Sequence, residues 1–279
     1  AGTVERILKS SYENRPTSIR VNTDRISVDD YGIKLADAGI EVTRGTLNDT
    51  SLLINGYDYV RRIPGYMDGE FTVQDQSSCL AVRAAGIQEG DLVVDVCAAP
   101  GGKTMYAASL AGCAGRVISR DLTESKTELI EENIDRLGIT NVTVEAWDAK
   151  ILDESLIGMA DVVIADLPCS GLGIMGRKND IKYNVTAAGI EELSQLQREI
   201  LDVVSQYVKP GGTLVYSTCT IDSEENQKNV QWFLKNHEFQ IAGIDDIVPG
   251  HGGDRGYVTL LQGIDECDGF FISKFVRKK

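Results

Sequence analysis

Asp95-Val96-Cys97-Ala98-Ala99-Pro100-Gly101-Gly102-Lys103-Thr104 follows the apolar run Leu92 to Val96 and opens a helical pattern at Lys103 to Ala111. A strand that turns through glycines into a helix aims backbone N–H groups and the positive helix end at one point, where an anionic ligand group can be held. Two well-known loops are excluded by spacing. The dinucleotide pattern G-x-G-x-x-G is absent, and the P-loop needs a glycine five residues before Gly102, where Cys97 stands. Asp121, 19 residues beyond Gly102, closes the second apolar run, where a carboxylate can accept two ribose hydroxyls. Asp148, after the third run, is placed to meet a base edge. A nucleoside without a long phosphate chain is therefore the favoured ligand, with Cys97, Ala98, Ala99, Pro100, Gly101, Gly102, Lys103, Asp121, Asp148 and Asp166 as its candidate contacts. The alternative is a tight strand-to-helix turn with solvated carboxylates.

Outward from this turn the same theme recurs: a short apolar run, a polar turn, a helical pattern. Runs at Leu92 to Val96, Arg116 to Ser119, Val142 to Ala146, Asp161 to Ala165 and Thr213 to Tyr216 alternate with helical patterns at Lys103 to Ala111, Ser125 to Leu137 and Ile190 to Val208. That alternation predicts an α/β domain with a mostly parallel, doubly wound sheet over residues 71–279. Lys209-Pro210-Gly211-Gly212 reads as a helix stop. Tyr257 to Gln262 and Phe270 to Phe275, joined by the acidic turn Asp265 to Asp268, predict a terminal antiparallel hairpin. Residues 1–70 differ: strand-like runs at Ser18 to Asn22, Ile40 to Thr43 and Leu52 to Ile54 surround a helical pattern at Val28 to Ala38, a small α+β unit.

At 279 residues, 42% hydrophobic and 25% charged, the composition is that of a globular enzyme and excludes disordered and collagenous classes. The formal net charge is −14, so general attraction to a polyanion is excluded and any such partner must meet a local basic patch. Residues 1–70 carry 9 basic and 11 acidic residues, which places most of the negative excess in the remainder. Six cysteines without a C-x-x-C pair, and only two histidines, predict neither a zinc site nor a disulfide framework. With no apolar stretch long enough to span a bilayer and no signal peptide, the expectation is a cytoplasmic protein with reduced thiols and no membrane partner.

Two further clusters close the fourth and fifth runs: Ala165-Asp166-Leu167-Pro168-Cys169-Ser170-Gly171 and Tyr216-Ser217-Thr218-Cys219-Thr220. Carboxyl ends of adjacent parallel strands face one crevice, so Asp166, Cys169 and Cys219 should converge beside the nucleoside. A lone cysteine near a strand is more often a small buried hydrophobe than a nucleophile. Two cysteines just past strand ends, one followed by Ser-Gly, shift that balance.

With these residues assembled, the chain resembles the NOP2/Sun family of RNA cytosine-5 methyltransferases. Asp95 to Lys103 resembles the family's cofactor loop, Asp166 to Gly171 its fourth motif and Ser217-Thr218-Cys219 its sixth. Pro16 to Asn22, Val73-Gln74-Asp75, Asn179 to Tyr183 and Asp268-Gly269-Phe270-Phe271 fit as well, so the likeness covers essentially the whole chain. The cysteine pair is specific, because DNA cytosine-5 methyltransferases use only the fourth-motif cysteine as nucleophile. The wording of the front segment and of Phe71 to Leu80 resembles the bacterial Sun/Fmu type, which acts on 16S ribosomal RNA and usually carries an N-terminal NusB-like domain. The chain opens Ala1-Gly2-Thr3 without that domain, as expected of a trimmed segment or a shorter branch.

The resemblance implies a Rossmann-like S-adenosylmethionine methyltransferase domain behind a small RRM-like accessory unit, and methyl transfer to C5 of a cytosine in RNA. By similarity Cys219 is the thiolate that adds to C6, Asp166 meets N3 with Lys103 assisting, and Cys169 serves the release step. Asp121 would hold the ribose and Asp148 the adenine region. RNA phosphates would meet Arg177, Lys178 and Lys182 after the fourth motif, and Arg20, Arg61, Arg62 and Arg15 in the small unit. That unit lacks an RNP-type aromatic pair. A tRNA cytosine-5 methyltransferase would share every motif, and an idle RNA-binding assembly factor would keep the fold while losing the need for both cysteines, Asp166 and Lys103. No metal is expected.

Overall fold

The computed structural model describes residues 2–279. Its elements are α1 (Gly2–Ser10), β1 (Thr17–Val21), α2 (Val28–Asp37), β2 (Glu41–Arg44), β3 (Ser51–Asn55), β4 (Phe71–Val73), α3 (Gln76–Ala85), β5 (Leu92–Asp95), α4 (Gly102–Ala111), β6 (Arg116–Asp121) and α5 (Glu124–Leu137). They continue as β7 (Val142–Ala146), β8 (Ala160–Asp166), α6 (Ile181–Asn184), α7 (Ala187–Val204), β9 (Val208–Thr218), α8 (Gln227–Asn236), β10 (Phe239–Ile241), β11 (Tyr257–Leu260) and β12 (Phe270–Arg277).

The large sheet runs in the order β10-β12-β9-β8-β5-β6-β7, with β11 also paired to β12. β5 to β9 are parallel and β12 is antiparallel to β9. Both faces are covered, and the period-two alternation of a strand decides which side chain goes where. Val93, Ile164, Val215 and Ile272 pack with α3 and α4 on one face. Their sequence neighbours Val94, Val163, Ala165, Leu214, Tyr216 and Phe271 pack with Ile200, Leu201 and Val204 of α7 and Phe233 of α8 on the other.

The small sheet is antiparallel, order β2-β3-β1-β4, and closes over Ile19, Val21, Tyr31, Leu35, Ile54 and Phe71. Its last strand lies at Phe71–Val73, so the sheet crosses the division expected after residue 70. α1, in turn, reaches away from it, with Arg6 donating to the Gly263 carbonyl at 3.1 Å. Arginines help to join the two sheets: Arg136 on α5 donates to the carbonyls of Tyr66 and Phe71 at 2.9 Å each, and Arg25 donates to that of Leu137 at 3.0 Å.

Most expected elements are present. The helix read at Ile190 to Val208 begins earlier, at Ala187, because the Thr186 side chain accepts from Gly189 N–H and caps it. It gives way to a 3-10 turn at Ser205–Tyr207. The helix has stopped before Lys209-Pro210-Gly211-Gly212, and these residues begin β9, where pairing with β8 shifts register between Ala160 and Val162. Such an irregularity tolerates a proline without an N–H. α1, α3, α6, α8, β4 and β10 lie outside the elements expected from the sequence.

Candidate active site

The carboxyl ends of β5, β6, β8 and β9 open onto one crevice, as the parallel order requires. Asp166 ends β8 directly opposite Ser217 of β9, and this register puts the Ser217 hydroxyl 2.8 Å from one Asp166 oxygen. Lys103, second residue of α4, donates to the other at 2.6 Å and to Ser78 Oγ at 3.3 Å. Burial alone would lower the Lys103 ammonium, but Asp166 beside it overrides the desolvation and holds it above the usual lysine value. Phe270, brought alongside by the Thr218–Phe271 pairing of β9 and β12, has its ring centroid 5.4 Å from that ammonium.

Cys169 and Cys219 converge to 3.2 Å between sulfurs. Their thiols are driven apart. The hydrogen bond from Cys169 lowers Cys219 below the ordinary thiol range, with the Lys103 charge acting in the same direction against burial and Asp166. The same bond, then burial, raises Cys169. The Lys103 charge is among the causes that lower Cys219. A 220 Å³ cavity opens beside Cys169, walled by Ile181, Asn184, Val185 and Leu193.

At the neighbouring strand ends, Gly101 adopts φ 101° and begins α4, a conformation in which a side chain is strained. Ala99 N–H donates to Asp121 Oδ2 at 2.9 Å, while Asp121 Oδ1 accepts from Leu122 N–H at 2.7 Å and Lys126 at 2.9 Å. Lys126 is half exposed, so its place on Asp121 is open to exchange with a ligand hydroxyl. Asp148 stands near, because Trp147 N–H donates to the Asp121 carbonyl at 2.8 Å. Asp95, fully buried at the end of β5, accepts from Thr104 through one oxygen, while the other has no protein partner among the described residues. Burial pushes its carboxyl up to about 7. An orphaned buried acceptor at this turn suits a ligand that brings a donor or a cation. Cys97 lines the same turn with its thiol raised by burial and by Asp121.

The basic residues divide. Lys178, Arg61 and Arg62 are exposed, and Lys182 lies with its ammonium 4.0 Å from the Tyr12 ring centroid. Arg177 is held by the Pro16 carbonyl at 2.9 Å and by Asp268, and Arg15 pairs with Asp268 at 2.7 Å. Arg20 is a correction: only 6% exposed, it donates to Gln74 and lies over Tyr106, so it joins the two sheets instead of facing an outside phosphate. Sequence reasoning gave no role to Asp95, Ser78, Ser217 or Phe270. Asp95 stood in the quoted turn, whereas Ser78 and Phe270 are brought in only by tertiary pairing.

The family described as "16S rRNA methyltransferase RsmB/F" matches residues 83–276, and an RsmF/B-like ferredoxin-like domain matches residues 2–60. The chain is 38% identical over 269 residues to the probable ribosomal RNA small subunit methyltransferase B of Bacillus subtilis, covering 94% of this chain and 60% of that protein. It is 33% identical over 269 residues to the ribosomal RNA small subunit methyltransferase F of Cronobacter sakazakii, covering 92% of this chain and 56% of that one. It therefore spans under two thirds of the length of either relative. The solved methyltransferase homologue from Pyrococcus horikoshii superposes with a TM-score of 0.84 at 28% identity, over 98% of this chain and 90% of that one. On the match of its catalytic-domain residues and these relatives together, the chain belongs to the RsmB/F family of 16S rRNA methyltransferases.

Proposed function

We propose that this chain methylates C5 of a cytosine in RNA, with 16S ribosomal RNA as substrate and S-adenosylmethionine as cofactor. The observation that carries the reading is the cysteine pair, two sulfurs at 3.2 Å whose thiols are pushed in opposite directions beside a lysine–aspartate pair. S-adenosylmethionine supplies an electrophilic methyl group. Asp95 offers its free oxygen to the cofactor's ammonium, the Ala99 to Lys103 turn and Asp121 hold its nucleoside, and Asp148 meets the adenine region.

Cys219, as the thiolate, adds to C6, and the electron pair moves onto C5, which would bond to the methyl group that the cofactor supplies as its neutral thioether leaves. Asp166 relays to N3 a proton from the Lys103 ammonium hydrogen-bonded to it, and takes that proton back when the double bond re-forms. Once the Cys219 sulfur is bonded to carbon its negative charge is gone, and with it the main cause that raises Cys169. Cys169 then yields its proton to solvent and takes the one on C5. The C–H pair re-forms the C5–C6 double bond and Cys219 leaves as thiolate.

The test is a denaturing gel of each cysteine variant after incubation with substrate RNA and S-adenosylmethionine. Cys219→Ala should give neither methyl transfer nor adduct. Cys169→Ala should transfer the methyl group and accumulate a denaturant-resistant protein–RNA complex. A persistent adduct from Cys219→Ala alone would reverse the two roles.

A further inference from the structure

The residues flanking the two cysteines are gripped by three fully buried polar side chains that lie outside both cysteine motifs: Gln197, Glu225 and Asn226. Gln197 on α7 donates to the Pro168 carbonyl at 2.9 Å, immediately before Cys169. Glu225, in the segment between β9 and α8, accepts Ser170 N–H at 2.9 Å and the Gln197 amide at 3.0 Å through one oxygen, and the Ser170 hydroxyl at 2.5 Å through the other. Ser170 Oγ in turn lies 2.8 Å from Thr220 Oγ1, the residue after Cys219. Asn226 donates to the Thr220 carbonyl at 2.9 Å and accepts from Thr218 Oγ1 at 2.7 Å.

We infer that Glu225 is a positioning residue for the reacting cysteines: by holding both donors of Ser170 it sets the Cys169 sulfur within hydrogen-bonding distance of Cys219. A carboxylate is an acceptor-only group, and here its two oxygens meet three donors, none of them a cation. Glu225 is fully buried, so it touches no substrate itself. Its effect reaches the chemistry through Ser170, which is covalently next to Cys169 and hydrogen-bonded to the neighbour of Cys219. A small loss of placement at such a point costs about 10–100-fold in rate.

This inference rests on reading Cys219 and Cys169 as the reacting pair, and two readouts keep the two ideas separate. The first uses no RNA: alkylation of Cys219 by iodoacetamide, followed by mass spectrometry of its peptide across pH. In Glu225→Ala the pH midpoint should rise toward the ordinary thiol range. In Glu225→Gln most of the shift should be absent, because the amide oxygen keeps Ser170 N–H and Gln197 while the amide nitrogen donates to a Ser170 hydroxyl turned toward Thr220. The second readout is turnover. Glu225→Ala should bind S-adenosylmethionine as the wild type does, lose about tenfold or more in steady-state methylation, and accumulate adduct.

An unchanged Cys219 profile with no added adduct in Glu225→Ala overturns the inference. So does an equal shift in Glu225→Gln, which would assign the effect to the charge. If Glu225→Ala does not fold, Ser170→Ala, which removes only the shared hydroxyl, must raise the Cys219 midpoint in the same direction or the inference fails. Wild-type protein that methylates no RNA would overturn the proposed function, and the alkylation comparison would still decide the role of Glu225.

Discussion

Asp95 shows how one buried atom links stability to binding. Its carboxyl is pushed up to about 7 by burial, so the folded chain holds a proton that the unfolded chain has released by about pH 4. The stability this group contributes is complete below the unfolded value and declines as pH rises toward 7. Asp95→Asn keeps the Thr104 hydrogen bond and cannot ionise. It should match the wild type in thermal unfolding at pH 4 and melt higher at pH 8, while titration calorimetry shows weakened S-adenosylmethionine binding. A variant that melts lower at both pH values would contradict this account. Arg20 makes the complementary point about legibility. Its burial depends on Gln74 and Tyr106, both far along the chain and one of them across the junction between the sheets, so nothing within a local window separates it from the exposed Arg61 and Arg62.

Between elements, the loops that carry chemistry are held backbone to backbone. Gly173 N–H donates to the Cys219 carbonyl at 3.0 Å, and the Gly173 carbonyl accepts from Gly269 at 2.8 Å. A Cβ at Gly173 would stand 2.0 Å from the Gly269 oxygen and 2.8 Å from the Cys219 oxygen, both main-chain atoms that cannot rotate aside. Gly173→Ala should therefore destabilise by about 1–3 kcal/mol in denaturant unfolding and reduce methyl transfer together. Unchanged stability with normal activity would show that these loops yield freely. The strand ends and their turns were legible because each signal is local, an apolar run followed by a polar turn, and the convergence of Asp166, Cys169 and Cys219 follows from parallel order alone. Glu225 was not legible: in Ser223-Glu224-Glu225-Asn226 it reads as a solvated charge, and only the packing of α7 against the segment before α8 buries it. Lys209 to Gly212 marked the end of the preceding helix, but proline and glycine stand as readily at the irregular start of a strand, which local reading did not show.

For the molecule as a whole, a net charge of −14 sets the terms on which RNA can be met. Lys178, Lys182, Arg61 and Arg62 are the candidates without an acidic partner among the described residues, whereas Arg20 is buried, Arg15 pairs with Asp268, and the exposed Arg177 is tied to Pro16 and Asp268. Replacing the first four with alanine should flatten the salt dependence of RNA affinity by about 0.7–0.9 log unit for each phosphate no longer neutralised, with S-adenosylmethionine affinity unchanged. An unaltered slope would return these residues to the solvated surface. The antiparallel strand β12 adds an element of timing. It pairs with β9 along most of its length and shares its other edge between β11 and β10, yet it is formed from residues 270–277, well after both cysteines. A growing polypeptide that has passed Cys219 still presents β9 with an open edge, and Phe270 has yet to arrive beside Lys103. During synthesis the cysteine pair is thus made early and its enclosure late, so the half-made chain is sticky before it is complete.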